Sequence, residues 1–244
     1  MIGRALRAQA RSFSGDIVLC WVSVASIAMA LSLVTSIPPE FATADAADRE
    51  AFAAPFSAVT AMYGAVLASV YGCFRYTVDR RDGVIAQRLM LQPRWATLVA
   101  RLPAAALGGA IVALTGVLGG HLGLAVAVGG VPVEWGSVWS SLALGAAAGV
   151  WGVGVGIIVQ AHLVALFLVS ASMGSAILVA VVWKAGAVYL PLLAMLEALR
   201  FDLGALGVAP EDTLDGVAAA LVAVGWLLAI LVAAGAVFMR RDVR

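Results

Sequence analysis

Apolar residues run along this chain in long blocks that charges interrupt rather than alternate with. Read between charges, the blocks fall at about 17–37, 56–76, 102–128, 138–160, 163–183 and 216–238. Each is close to the roughly 20 residues that carry a helix, at ~1.5 Å per residue, across a ~30 Å hydrocarbon core. The pattern predicts an all-α, polytopic membrane protein with six transmembrane helices in a single domain, residues 1–244. Composition points the same way. The chain is 63% hydrophobic and 12% charged, with a mean hydropathy of +1.04, whereas soluble domains are roughly a quarter charged. The first block follows Arg4, Arg7 and Arg11 and precedes the small-residue run "ATADA" at 42–46, as a secretory signal would. It is longer than the roughly 7–15 apolar residues of a signal, so it reads as a retained helix.

Charge then gives the blocks an orientation. With the N-terminus inside, Arg4, Arg7, Arg11, Arg75, Arg80, Arg81, Arg88, Arg94, Arg101, Arg240, Arg241 and Arg244 all fall on inner segments, and only Arg49, Lys184 and Arg200 fall outside. This bias predicts cytoplasmic N- and C-termini. The acids follow the opposite trend, with Asp16, Asp79, Asp82 and Asp242 inside and the other ten outside.

Residues 79–101, "DRRDGVIAQRLMLQPRWATLVAR", hold seven of the chain's charges between the second and third blocks. Val84, Ile85, Leu89 and Leu91, interleaved with Asp82, Gln87, Arg88 and Gln92, suit a short amphipathic helix. Asp79 and Asp82 stand where carboxylates favour the start of such a helix. Pro93 biases Gln92 away from helical geometry and closes it. A loop that only set topology would need a few basic residues. A helix with an apolar stripe suits docking into a partner's groove.

These residues resemble the intracellular coupling segment of the ABC-2 family of ABC-transporter permeases, at Asp82-Gly83, Arg88-Leu89, Pro93 and Arg101. The family commonly has Glu before the glycine and Lys at the last position, and this chain keeps the charges with Asp82 and Arg101. The ending "FMRRDVR", 238–244, is similar to the family's C-terminus, and the basic N-terminus resembles its interfacial elbow helix. The resemblance implies a cytoplasmic coupling helix between helices 2 and 3, with Arg81, Asp82, Gly83, Ile85, Arg88, Leu89 and Pro93 as the candidates for contact with a cytosolic ABC ATPase subunit. It implies re-entrant short helices between helices 5 and 6, where 184–215 is too apolar for a free loop and is broken by Pro191, Gly186, Gly204 and Gly207. It also implies a second permease chain, identical or related, and export across a bacterial cytoplasmic membrane of a drug, antibiotic, peptide or lipid.

Other chemistries find little support in the residues. No P-loop can be built around Lys184, the single lysine, so no cofactor is expected in this chain, with ATP and Mg on the partner ATPase. Cys20 and Cys73 lie in apolar blocks and read as packing residues. His121 and His162 fall near opposite faces without HExxH or GxSxG, so no catalytic or metal-ligating residue is expected. No acid falls inside the blocks to couple transport to an ion gradient. Gly145, Gly149, Gly152 and Gly156 predict close helix packing. Ser23, Ser26, Thr60, Ser69, Thr115, Ser140, Ser141 and Ser172 are the hydroxyls available to an amphipathic substrate. A non-transporting membrane anchor or sensor subunit is the alternative that the same helices allow.

Overall fold

The computed structural model describes residues 2–37, 45–129 and 133–240, apart from the side chains at 46, 48–50 and 52–54. The ATADA run, the side chain of Arg49 and the last four residues of FMRRDVR therefore lie largely or wholly outside the described residues. All regular structure among them is helical. The elements are α1 (Ile2–Phe13), α2 (Ile17–Val34), α3 (Ala46–Arg81), α4 (Val84–Leu91), α5 (Arg94–Val128), α6 (Trp135–Val159), α7 (His162–Val182), α8 (Lys184–Ala187), α9 (Pro191–Ala198) and α10 (Gly216–Arg240). Two 3-10 turns, Gly204–Leu206 and Pro210–Asp212, link α9 to α10. Six helices are long and apolar enough to cross a membrane: α2, the Pro55–Arg81 part of α3, α5, α6, α7 and α10. They mark the chain as a multi-pass membrane protein.

The core is a three-helix spine of α3, α5 and α6, with α2 against α5, α7 against α3, and α10 against α6 and α9. Glycine lets the spine helices touch at their backbones. A methyl on Gly152 would meet the Ser69 carbonyl oxygen at 1.9 Å, and one on Gly149 would meet that of Ala105 at 2.3 Å. Gly145 and Gly149 thus face α5, while Gly152 and Gly156 face α3, so the glycine run packs two neighbours with one helix. In contrast, α2, α7 and α10 keep wide apolar faces outward, including Trp21, Phe167 and Leu221. Lipid is the solvent those faces suit.

Two boundaries differ from the hydropathy reading. The second long helix continues to Arg81, and the third begins at Arg94 rather than near 102. Both extensions carry charges that hydropathy counts only as a cost, and in the structure one charge from each, Asp79 and Arg101, forms a buried pair. The short helices between α7 and α10 are present. Pro191 opens α9 at its first turn, where its missing N–H is no loss. Every residue from Pro191 to Glu197 is buried, so α9 is tucked into the bundle instead of lying on its surface.

Candidate functional site

The ends of α3 and α10, the start of α5, and the helices α1 and α4 gather at one end of the bundle, here called the basic end. Arg94 of α5 donates to the carbonyl oxygens of Phe238 (3.3 Å) and Met239 (3.2 Å) of α10. Asp82 N and Gly83 N complete the last turn of α3 on the carbonyls of Val78 and Arg80. Gly83 then takes a left-handed conformation, φ 73°, which turns the chain into α4. A methyl there would meet nothing within 4 Å, so the glycine answers a backbone requirement and not a steric one. At the other end of α4, Gln92 is extended and Pro93 caps α5. The helix stop read from the sequence at Pro93 therefore matches the geometry.

The apolar stripe of α4 divides. Ile85 is completely buried in a cluster with Tyr76, Ala105, Val153, Ile157, Ala234 and Phe238, and Leu89 packs against it. Met90 and Leu91 point away, 87% and 85% exposed. Arg81 and Asp82 are exposed at the turn. Arg88 faces inward, where its guanidinium donates to the Gln9 side-chain oxygen of α1. Burial, together with the nearby Arg101 charge, pushes Arg88 below its ordinary value. Ile85 and Leu89 thus anchor α4, while Met90, Leu91, Arg81 and Asp82 are what it presents.

Asp79 is placed differently from expectation. It belongs to α3, not to the start of α4, and is 5% exposed. Tyr71, Arg75 and Asp79 recur at four-residue spacing and so share one face of α3. Opposite them, Asp16 caps α2 by accepting from the N–H groups of Val18 (3.1 Å) and Leu19 (3.2 Å). Its second oxygen accepts from the Tyr71 hydroxyl at 3.0 Å and pairs with Arg75 Nε at 2.9 Å. Arg75 also reaches Asp79 (3.4 Å) and the Ser12 carbonyl of α1 (3.3 Å). Asp79 in turn accepts from Arg101 at 2.8 Å. Arg101 is 2% exposed and lies over the Tyr76 ring, 5.4 Å from its centroid. Gly108 leaves room for the Tyr71 ring, since a methyl there would stand 2.1 Å from Cε1.

Two carboxylates and two guanidiniums cancel, so a neutral chain of ion pairs sits inside the bundle. Such a chain offsets desolvation only when every member is held. It ties α1, α2, α3 and α5 together beneath α4. The sequence reading placed Asp16 and Arg75 only as topological charges. A signal was available in the 71, 75, 79 spacing and in an aspartate standing just before an apolar block.

The opposite end holds a cleft. An inner cavity of about 40 Å³ takes in Thr60, His121 and Ser141, and an outer one of about 300 Å³ takes in Glu134, Arg200 and Asp202. Ser57 and Ser137 border both. Of the hydroxyls expected to face a substrate, only Thr60, Ser140 and Ser141 reach these cavities. Ser26 donates to the Val112 carbonyl across to α5 (3.0 Å), Ser69 and Thr115 bond within their own helices, and Ser172 accepts from Trp151. His162 lies 2.7 Å from the Thr77 hydroxyl and edge-on to Phe74. Among the described residues no group of three or more His, Cys, Asp or Glu converges on a possible metal position. No family model matches the chain, and no curated protein matches it either.

Proposed function

We propose that the chain is the membrane-spanning subunit of an ATP-driven exporter of the ABC-2 type, docking a cytosolic ATPase through α4. The observation that carries this reading is the form of α4. It is an eight-residue helix between the second and third long helices, pinned by Ile85 and presenting Met90 and Leu91 bare at the arginine-rich end. Exposed apolar pairs beside charged residues are what a partner's groove takes up. The arginine bias supports a cytoplasmic location for that end in a bacterial cytoplasmic membrane. A push on α4 would reach α1 through Arg88 and Gln9, and the bundle through Ile85. The ATPase supplies hydrolysis and binds ATP and Mg, and this chain carries no chemistry of its own. A second permease chain completes the path for an amphipathic or apolar substrate, with the buried α9 and its connecting turns closing the outer end.

The test is co-purification with co-expressed ABC ATPase subunits from the same genome, comparing wild type with Met90→Glu/Leu91→Glu. These side chains are exposed, so the double variant should still insert and elute as a single species. Wild type should retain the ATPase and the variant should lose it. Equal retention by both, or by neither, would sink the proposal and leave the anchor or sensor role.

A further inference from the structure

The N-terminal helix carries a feature that transport does not require. Ala5 and Gln9 of α1 are buried, and Ala5 packs on Ala96 and Ala100 of α5. Beside that alanine contact the two helices leave a groove of about 320 Å³. Its walls are Leu6, Ala10 and Phe13 of α1 and Pro103, Ala104 and Leu107 of α5. The groove opens outward, since Leu6 is 40% and Leu107 55% exposed. From Ala100 to Leu107 the α5 wall rises about 10 Å, at ~1.5 Å per residue.

The rest of α1 shows what would lie there. Arg4, Arg7 and Arg11 are exposed, and at about 100° per residue they form one stripe within roughly 60° of one another. Among the described residues none of the three is in an ion pair. Between the stripe and Leu6 the flank of the helix carries Gly3 and Ala10. Both are small, and a methyl on Gly3 would meet nothing within 4 Å. A basic stripe therefore leads, over a flank without bulk, into an apolar groove. Free cationic charge above, a smooth step and an acyl-sized slot below together match one molecule, an anionic lipid with its phosphate up and its chain down.

We propose that the groove between α1 and α5 is a site for an anionic phospholipid of the leaflet at the basic end. The phosphate lies against Arg7 and its neighbours in the stripe, and one acyl chain lies along Pro103, Ala104 and Leu107. The inference does not depend on an ATPase partner.

The test uses the full chain, purified in mild detergent and offered equal phosphatidylglycerol and phosphatidylcholine, with retained lipid counted by native mass spectrometry. Wild type should hold one lipid through delipidation and prefer phosphatidylglycerol about fivefold or more, the factor expected for one arginine near a phosphate. Ala104→Trp, which fills the groove, should lose that lipid. Ala10→Trp fills it from the other wall and serves if Ala104→Trp does not fold. The triple change Arg4→Gln/Arg7→Gln/Arg11→Gln should still hold a lipid but with the preference reduced to about one. Inorganic phosphate should not displace the lipid from wild type. Equal retention of the two lipids by wild type would overturn the proposal, as would undiminished retention by both groove-filling variants. A lipid-free dimer that either tryptophan disrupts would assign the groove to a second copy of the chain instead.

Discussion

The two ends of the bundle treat their buried carboxylates in opposite ways. At the basic end each buried carboxylate meets a guanidinium: Asp16 meets Arg75, and Asp79 meets both Arg75 and Arg101. At the other end Glu197 of α9 is 9% exposed, and one of its oxygens has no hydrogen-bond partner. Burial, with the Asp215 charge adding to it, pushes the Glu197 carboxyl above its ordinary value, against smaller opposing effects from the Leu214 backbone and Thr213. The first arrangement locks four helices in one geometry. The second is an acid kept at a cost in a short helix that three neighbours enclose. One spine thus carries a rigid end and a strained end.

Breaking the locked end should have the largest effect. Asp79→Ala leaves Arg101 buried without its 2.8 Å partner and should cost about 3–5 kcal/mol. It should show as loss of the monodisperse species or a large fall in Tm in detergent. Asp79→Leu/Arg101→Leu removes both charges and should regain most of that loss, because the penalty belongs to the orphaned charge. If the single and double variants melt alike, the pair does not lock the end.

The spine between the ends comes next. Gly152→Ala forces a methyl toward the Ser69 carbonyl at 1.9 Å and should cost about 1–3 kcal/mol. Gly174→Ala on α7 meets nothing within 4 Å, and alanine favours helix by up to ~1 kcal/mol over glycine. Its Tm should be unchanged or higher. Equal losses from the two would mean that α3 and α6 are not held by backbone contact.

The smallest effect should come from the strained end. A folded-state value above the unfolded one means the native state holds the Glu197 proton more tightly. Stability is then lost as pH rises from the ordinary carboxylate range through the raised value. Glu197→Gln should abolish that slope and melt higher near pH 7, by up to about 1 kcal/mol or ~2–4 °C in a chain of this size. A steeper decline with pH in the variant would reverse the assignment.

The two ends were also unequally legible in the sequence. The six long helices could be read because lipid asks only for apolar residues over a fixed length, and the chain supplies them in unbroken blocks. The stop at Pro93 could be read because a helix end is decided within three or four residues. The pairing at the basic end could not. Asp16 and Arg75 are brought together by the packing of α2 on α3, and Asp79 and Arg101 lie 22 positions apart. Hydropathy saw these residues as boundaries, which is why it ended the second long helix early and began the third late. The stripe on α4 was visible, but the anchoring Ile85 and Leu89 could not be told from the exposed Leu91 until their surroundings were fixed. The burial of Glu197 likewise follows from how α9 is enclosed and not from any local pattern.

The link between Asp79 and Arg101 also bears on how the chain enters a membrane during synthesis. Each charge alone would burden an inserting helix by roughly 2.5–3.5 kcal/mol at the centre of the span, and by less near its end. The two residues flank the tight Gly83–Pro93 connection, so they leave the ribosome as arms of one hairpin. If α3 is held beside the translocation channel until α5 arrives, the two charges can partition as a neutral pair. Residues 79–101 would then set the order of assembly, making the second and third long helices a single unit of insertion.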